Sequence, residues 1–449
     1  MDLAKGRDLC FRIIDMAKSR GVQQCDVILQ RGKSFSLQAQ AGKIDKTKVT
    51  STQIAGIRVI QDQKLGISAS ESLEDDALRM MIDQALGSSR YASIDRFQKI
   101  EQKNATDLIS IPSALNQDDT ATAQEKIELA LRLESLVLGR DKRIRNSPYS
   151  GYGDGEGESL YANHLGTFCY QKERSFSCYT SALAAGDATQ TMYSSSSVAR
   201  RFQDLKLDHC VEEAADTALA LLTAKPLPTG RYDTIFSTDE WGSLLDSFLG
   251  AFSAKSAMEG VAYFREKVGQ RIAVPFFSMH DSPQYPGGFG YSVFDDEGTP
   301  HRELAVVEDG ILKSFFHNSA TARYYKIPNT AHAARGPRGS LGTSPTQLVI
   351  KAGTTDAKQL YSGTVFKVIG LKGLHSGTNA ISGHFSLAAE GMLMKDGEIQ
   401  QYVKDVTLSG NFYQLLEQIL AVGQTVEASS GLTFFSPDIR FEGLSVAGA

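Results

Sequence analysis

The sequence predicts an α+β protein: a helix and antiparallel-sheet unit at the N terminus, a middle α/β unit, and a β-rich C-terminal unit built on a mixed or antiparallel sheet. Three observations carry this. Apolar residues recur at helical spacing in a few windows, whereas other stretches alternate apolar and polar with the period of two that strands require. Gly, Pro, Asn and Asp cluster between these windows, where a chain must turn. The 449 residues exceed one ordinary domain and, as a soft prior, suggest about three. Boundaries fall at 1–105, 106–228 and 229–449, the last where Pro226, Pro228 and Gly230 interrupt the chain.

In the first unit, Leu9, Ile13, Met16 and Ala17 share one face of a helix that Gly21 ends. Strands follow. Val27 and Leu29 alternate within Cys25 to Gln30, Phe35, Leu37 and Ala39 alternate again, and Ile54 to Ile60 precedes a turn and Leu65 to Ser70. Ser72 can cap a second helix, Glu74, Asp75 and Asp76 suit the positive end of its dipole, and Leu78, Met81, Ile82, Ala85 and Leu86 form its buried stripe.

A polar segment, roughly Lys103 to Asp119, leads to a third helix, with Thr122 and Glu125 at capping-box spacing and Ile127, Ala130 and Leu131 on one face. The run GYGDGEGES, Gly151 to Ser159, has the glycines of a phosphate loop but not its Lys-Ser/Thr ending, and its acids repel phosphate; it reads as a hairpin turn. Strands around Tyr161, Phe168 and Tyr170 and over Phe176 to Leu183 lead through a Ser-rich loop, Tyr193 to Ser197, to a helix over Val211 to Ala224.

The third unit opens with a strand, Thr234 to Phe236, and a helix from Ser237, where Ser237 and Glu240 repeat the capping-box spacing and Trp241, Leu244, Leu245, Phe248 and Phe252 form the apolar face. Pro286, Gly287 and Gly288 break the chain before an aromatic strand, Phe289 to Phe294, and Asp295, Asp296, Glu297 and Gly298 turn it. A strand over Glu303 to Glu308, a type I′ turn at Asp309-Gly310 and a returning strand, Ile311 to Phe316, complete a meander. A short helix over Ala320 to Tyr325, strands at Gln347 to Lys351 and Val365 to Ile369, and a hairpin at Lys395-Asp396-Gly397 follow. Leu415, Leu416, Ile419 and Leu420 make a last helix, before an apolar tail, Ile439 to Val446.

Hydrophobic residues at 41% and charged residues at 22% are ordinary for a soluble protein. The net charge of −5 gives no general attraction for nucleic acid or anionic lipid. Five scattered cysteines without a CxxC pair, and the charged start MDLAKGRD, point to a reducing, cytoplasmic setting. No apolar run approaches the roughly 18 residues that a membrane span needs.

The stretch from His280 to His317 is chemically the densest. It holds three of the eight histidines, His280, His301 and His317, with Asp281, Asp295, Asp296 and Glu297. Imidazoles and carboxylates hold metals and move protons, so a metal or acid/base site is one reading. A solvated turn is the other, because turn aspartates bond their own backbone and these spacings are irregular. Arg335 and Arg338, in the loop Ala334 to Ser340, either hold a carboxylate or phosphate or lie in a solvated loop. His375 and His384 stand among glycines in Gly373 to Ser386, a composition that admits a ligand close to the backbone and equally permits bends.

Several segments in order, GKIDKTKVTSTQIAGIRVIQDQKLGISAS, LYANHLGTF, PTGRYDTIFS, PGGFGYSVFDDEGTP, SGTNAISGHFSLAAEGMLMKDGEI and SPDIRFEGLSVAG, resemble the TldD/PmbA family over nearly the whole chain, and its PmbA (TldE) branch more than its TldD branch. TldD-type members resemble zinc peptidases with His-Glu-x-x-x-His on a helix and a C-terminal Cys ligand. Laid without gaps on Leu244 to Ala251, that helix puts Asp246 and Ala251 where the histidines stand and Ser247 where the Glu stands, and the tail Val426 to Ala449 has no Cys. The resemblance therefore implies no catalytic or metal-binding residue in this chain and no cofactor of its own, with zinc in a TldD-like partner subunit. It further implies a cytoplasmic complex that processes unstructured peptides or protein tails, and a homodimer as the state available without the partner. By motif position, His280, Gly288, Phe294, Asp295, Asp296, Glu297, Gly298, Gly377 and Gly383 are its candidates for the substrate cleft or the subunit interface. Two other functions stand beside it: a self-contained metal hydrolase using the His280 to His301 cluster, and a regulator that binds gyrase or nucleic acid.

Overall fold

The computed structural model describes residues 3–100, 104, 106–110, 115–187 and 189–448. Parts of the polar 103–119 segment, and residue 105 at the first expected boundary, lie outside these. The chain is α+β, built on two large sheets, and the connections of the second pack against one face of the first.

The first sheet has eight strands. After helix α1 (Leu3–Ser19) come β1 (Gln24–Gln40), β2 (Lys43–Gln61) and β3 (Lys64–Ser70), then α2 (Asp75–Tyr91), β4 (Leu108–Ser110) and α3 (Ala123–Arg140). The middle region adds β5 (Ile144–Asn146), β6 (Ser150–Asn163), β7 (Phe168–Ala185), β8 (Gln190–Ala199) and α4 (Leu207–Leu221). The central order is β3-β2-β1-β6-β7, and β4, β5 and β8 also pair with β7. Because side chains alternate across a strand, Val27, Leu29, Ile57, Val59, Leu160 and Ala162 all turn to one face, where α1 and α2 cover them. Asp26, Ile28, Arg58 and Tyr161 take the opposite face. Further along the first face, α3 covers Leu37, Ala39, Tyr152 and Phe176, and α4 packs over Cys178, Ala182 and Ala184. The Thr122–Glu125 capping box is formed at α3.

Three expectations fail here. GYGDGEGES is not a hairpin turn but the body of β6, paired with β1 and β7 along its length. Its glycines recur every second residue, so they share one face, and a side chain at Gly151 would meet the Leu37 carbonyl at 2.3 Å and the Tyr179 hydroxyl at 2.5 Å. The Ser-rich loop is strand β8, held in register by β7. Ser72 does not cap α2: Glu74 occupies that position, and the Ser72 hydroxyl only accepts from the Glu74 N–H at 3.4 Å.

The second sheet has ten strands. It begins with β9 (Gly230–Phe236), α5 (Thr238–Asp246), α6 (Ala254–Met258), β10 (Met279–Asp281), β11 (Leu304–Glu308), β12 (Ile311–Leu312) and α7 (Ser319–Tyr325). A small ribbon of β13 (Ala333–Ala334) and β14 (Gly342–Thr343) precedes β15 (Leu348–Ile350), α8 (Ala357–Leu360), β16 (Thr364–Lys372), α9 (Leu374–Gly377) and β17 (His384–Lys395). The chain continues through β18 (Glu398–Asn411), α10 (Phe412–Leu415), β19 (Ile419–Ala428) and β20 (Phe434–Ala447). The path β20-β18-β17-β16-β9 closes on itself, because β9 pairs with both β16 and β20. The β9–β16 and β15–β20 pairs are parallel and the rest antiparallel, so the sheet is mixed. On α5 Trp241, Leu244 and Leu245 are buried, and the Trp241 ring lies 6.1 Å from Phe236 and 5.8 Å from Phe412. Ser237 caps α5, but Glu240 does not complete the box; it accepts instead from the Leu371 N–H at 3.0 Å.

Corrections concentrate where the chain crosses between strands. Phe289 to Phe294 is irregular, apart from a bridge between Phe294 and Pro300, and the returning strand after Asp309-Gly310 is only β12. The expected last helix stops at Leu415, and Ile419 instead starts β19 against Phe441. The spacing of Leu415, Leu416, Ile419 and Leu420 suits a helix, but sheet pairing overrides it. Ile439 to Val446 is no tail: it is the core of β20, bonded to β9, β18 and β19.

Candidate functional site

The two sheets meet through the acidic corner. Phe294 packs on Ile28, Tyr161 and Cys169 of the first sheet, and the turn behind it is buried rather than solvated. Asp295 folds that turn about itself, its Oδ1 accepting from the N–H groups of Glu297 (3.0 Å) and Thr299 (2.9 Å) and its Oδ2 from that of Ala333 (3.1 Å). Asp296 accepts from the Arg335 N–H at 2.7 Å. Glu297 reaches across to the first sheet: Oε1 accepts from Arg58 Nη2 (3.0 Å) and Ser319 Oγ (2.7 Å), and Oε2 from the Ser319 N–H (2.8 Å). Gly298, at φ +74°, permits the approach, since a Cβ there would lie 2.6 Å from the Tyr161 ring.

Arg58 and Asp26 are cross-strand partners in β2 and β1, and Arg58 donates to Asp26 through Nε (3.0 Å) and Nη2. Arg335 donates to the other Asp26 oxygen at 2.6 Å. Its side chain is fully buried, so of the two readings of the basic loop the solvated one fails for Arg335, while exposed Arg338 pairs with Glu71 at the surface. Burial alone would lower the Arg58 pKa, yet the Asp26 and Glu297 carboxylates hold it above its usual value. Burial, with the Glu297 charge beside it, pushes Asp295 up, and burial also raises Asp296.

The histidines do not converge on this corner. His280 bonds Glu303 through Nδ1 at 2.9 Å and Glu308 through Nε2. Asp281 is fully buried and accepts from Thr346 N–H (2.7 Å), Thr346 Oγ1 (2.8 Å) and Gln347 N–H (2.9 Å), with His332 Nε2 at 3.0 Å. Burial lowers His301 and His317 to about 4, so both are neutral near pH 7. Among the described residues no group of three or more His, Cys, Asp or Glu side chains is placed to hold a metal ion. Gly288 lies where a Cβ would overlap the Gln347 amide. Gly377 and Gly383 belong to another neighbourhood, the connection between β16 and β17, against Ser386 and Tyr413; His375 and His384 are exposed there.

A cleft of about 390 Å³ runs beside α5, between that helix and the segments around Thr346 and Thr433. Asp246, the last residue of α5, lines it. Ala251 is 2% exposed and sits beyond the helix in a 3-10 turn, Leu249–Phe252. The residues aligned with the two histidines are therefore a carboxylate and a buried methyl group, and the one aligned with the Glu is a hydroxyl.

Comparison with known proteins agrees along the whole chain. The models of PmbA/TldA metallopeptidase domain 1, central domain and C-terminal domain match residues 25–89, 116–222 and 229–448. The chain belongs to the PmbA/TldD family. Metalloprotease PmbA of Escherichia coli O157:H7 is 24% identical over 93% of this chain and 92% of its own. The structure of a candidate modulator of a DNA gyrase from Thermotoga maritima superposes with a TM-score of 0.86 at 27% identity, covering 98% of this chain and 99% of the other. TldE from Thermococcus kodakarensis shares the fold at a TM-score of 0.85 and 21% identity, covering 98% and 100%. Within the PmbA/TldD family this chain stands nearer the PmbA/TldE branch.

Sequence reasoning missed Asp26, Arg58 and His332. The first two left a signal: a lone Asp in CDVIL and a lone Arg in GIRVI are charges inside apolar strands, where only a partner makes them tolerable. His332 left none, because its partner Asp281 is 51 residues away.

Proposed function

We propose that this chain is the non-catalytic partner subunit of a TldD-type metallopeptidase complex that processes unstructured peptides or protein tails in the cytoplasm. The observation that carries this is position 251: a buried alanine in a 3-10 turn stands where the family resemblance calls for a zinc ligand, just past the helix whose last residue, Asp246, lines the cleft. Neither a proton-accepting Glu nor an imidazole stands at the aligned positions on α5 or after it, so water activation is the partner's task. Asp295, Asp296, Glu297, Gly298 and Phe294 then act as positioning residues, fixing the 229–449 unit on the sheet shared by 1–105 and 106–228. His280, Gly288, Gly377 and Gly383 shape the surfaces offered to the partner or the substrate. Zinc belongs to the TldD-like subunit, and a homodimer is the form adopted without it.

The test is to purify the chain alone and with a TldD-like subunit, measure metal by elemental mass spectrometry, and follow cleavage of an unstructured peptide. Metal-free protein, inactive alone, that raises the activity of the zinc-loaded partner is expected. Near-stoichiometric metal in the isolated chain, or partner activity indifferent to its addition, would overturn the proposal.

A further inference from the structure

A cavity of about 480 Å³ opens where the first sheet meets α7, directly above the charged junction. Its inner wall is Arg58, Tyr161, Glu297 and Thr299, all buried. Two of these have donors to spare. Arg58 commits Nε and Nη2 to Asp26 and Glu297, but Nη1 of this 1% exposed side chain meets no acceptor among the described residues. The Thr299 hydroxyl accepts from Asn329 Nδ2 at 3.4 Å and donates to nothing among them.

The outer wall adds Lys99, Arg323 and Lys326, of which Lys326 forms no ion pair with a described residue. Glu297 is the one carboxylate among the described lining residues. Both its oxygens are engaged, by Arg58 and Ser319, so it is neutralised within the wall rather than left facing the cavity. Ile100, Ala322 and Ile327 make the remainder apolar. The unclaimed N–H of Arg58 and the ammonium of Lys326, in a concave and partly apolar site, favour an anion, and a low-dielectric wall strengthens that preference.

We propose that this cavity binds a small organic anion, a carboxylate or phosphate carried on an apolar group, with the charged head on Arg58, Thr299 and Lys326. A free peptide C-terminus and a phosphate ester share the chemistry required of the head. The site is separate from the α5 cleft and does not depend on the partner-subunit reading.

Calorimetric titration of the full chain with N-acetyl-leucyl-leucine, its C-terminal amide and inorganic phosphate tests it. Binding of one anion at least about tenfold tighter than the amide is expected, because a charge-assisted hydrogen bond to Arg58 is lost with the charge. The acid binding more tightly assigns the head as a carboxylate, and phosphate binding more tightly assigns it as a phosphate. Lys326 is exposed, so Lys326→Gln and Lys326→Glu should melt as the parent does while weakening the anion by about threefold and about tenfold. Amide binding as tight as either anion, or affinity unmoved by both substitutions, would overturn the assignment.

Discussion

The junction between the two sheets and the cleft beside α5 are opposites. The junction gathers Asp26, Arg58, Asp295, Asp296, Glu297 and Arg335 out of water, and each carboxylate accepts from a guanidinium, a hydroxyl or a backbone N–H, whereas Arg58 Nη1 and Arg335 Nε and Nη1 are left without an acceptor among the described residues. The cleft is open and uncharged but for Asp239 and Asp246; hydroxyl residues such as Ser243, Thr346 and Thr433 line the rest, no described lining residue is an imidazole or a thiol, and Ala251 is buried outside it. In this chain the densest charge marks architecture, and the open space beside α5 lies elsewhere.

Four measurements would break or sharpen that contrast. The largest effect is expected from Arg58→Ala, which leaves Asp26 and Glu297 buried without their shared cation. A loss of about 3–5 kcal/mol in denaturant unfolding is expected, the range for breaking a buried pair from one side. A loss under about 1 kcal/mol would show that the junction is wetter and less important than its geometry implies.

The next concerns pH. Burial holds His317 near pKa 4, against about 6.5 in an unfolded chain. A depressed folded value means that the stability it confers is complete above pH 6.5 and is lost as pH falls toward 4, by up to roughly 3 kcal/mol. His301 adds to the same window with the same sign. Melting curves of the parent and His317→Gln should converge as the pH drops from 7 to 4.5; parallel curves would remove His317 from the account.

Gly298→Ala should cost about 2 kcal/mol, since the new methyl meets the Tyr161 ring while φ stays in the left-handed region. Combined with Arg58→Ala the losses should fall short of additive, because both loosen one contact, and strict additivity would argue for two independent ones. The smallest effect is expected at the cleft. The triple substitution Asp246→His, Ser247→Glu, Ala251→His should bring no stoichiometric zinc by elemental analysis, because α5 ends at Asp246 and position 251 points into the core. Zinc retained after desalting would show the cleft to be one substitution set from a metal site.

How much of this was legible depended on whether the cause was local. The helices with capping residues, Thr122 and Ser237, were readable because a cap is a three-residue event. So were Asp309-Gly310 and Lys395-Asp396-Gly397, where positive φ values make the turn its own signal. Strand β6 was hidden, because its alternate glycines look like flexibility until two neighbours are laid against them. The segment after Leu415 was hidden for the same reason, its strand character coming from β20. At the site, Asp295 to Glu297 were singled out as unusual, but Arg58, the partner of Glu297, lies 239 residues earlier, and Asp26, which shares that guanidinium, earlier still, which no local pattern reveals.

The ring of strands in the C-terminal half has a consequence for synthesis. Its first member, β9, is bonded to its last, β20, so the circle cannot close until residues 434–447 have left the ribosome. β9 has neither neighbour until β16 emerges and lacks β20 for about two hundred codons, while the eight-stranded sheet, complete by residue 199, can form as soon as it emerges. The N-terminal half is therefore free to serve as the platform on which the later half is assembled, and a nascent chain halted short of its final strand carries an open, adhesive margin rather than a smaller version of the domain.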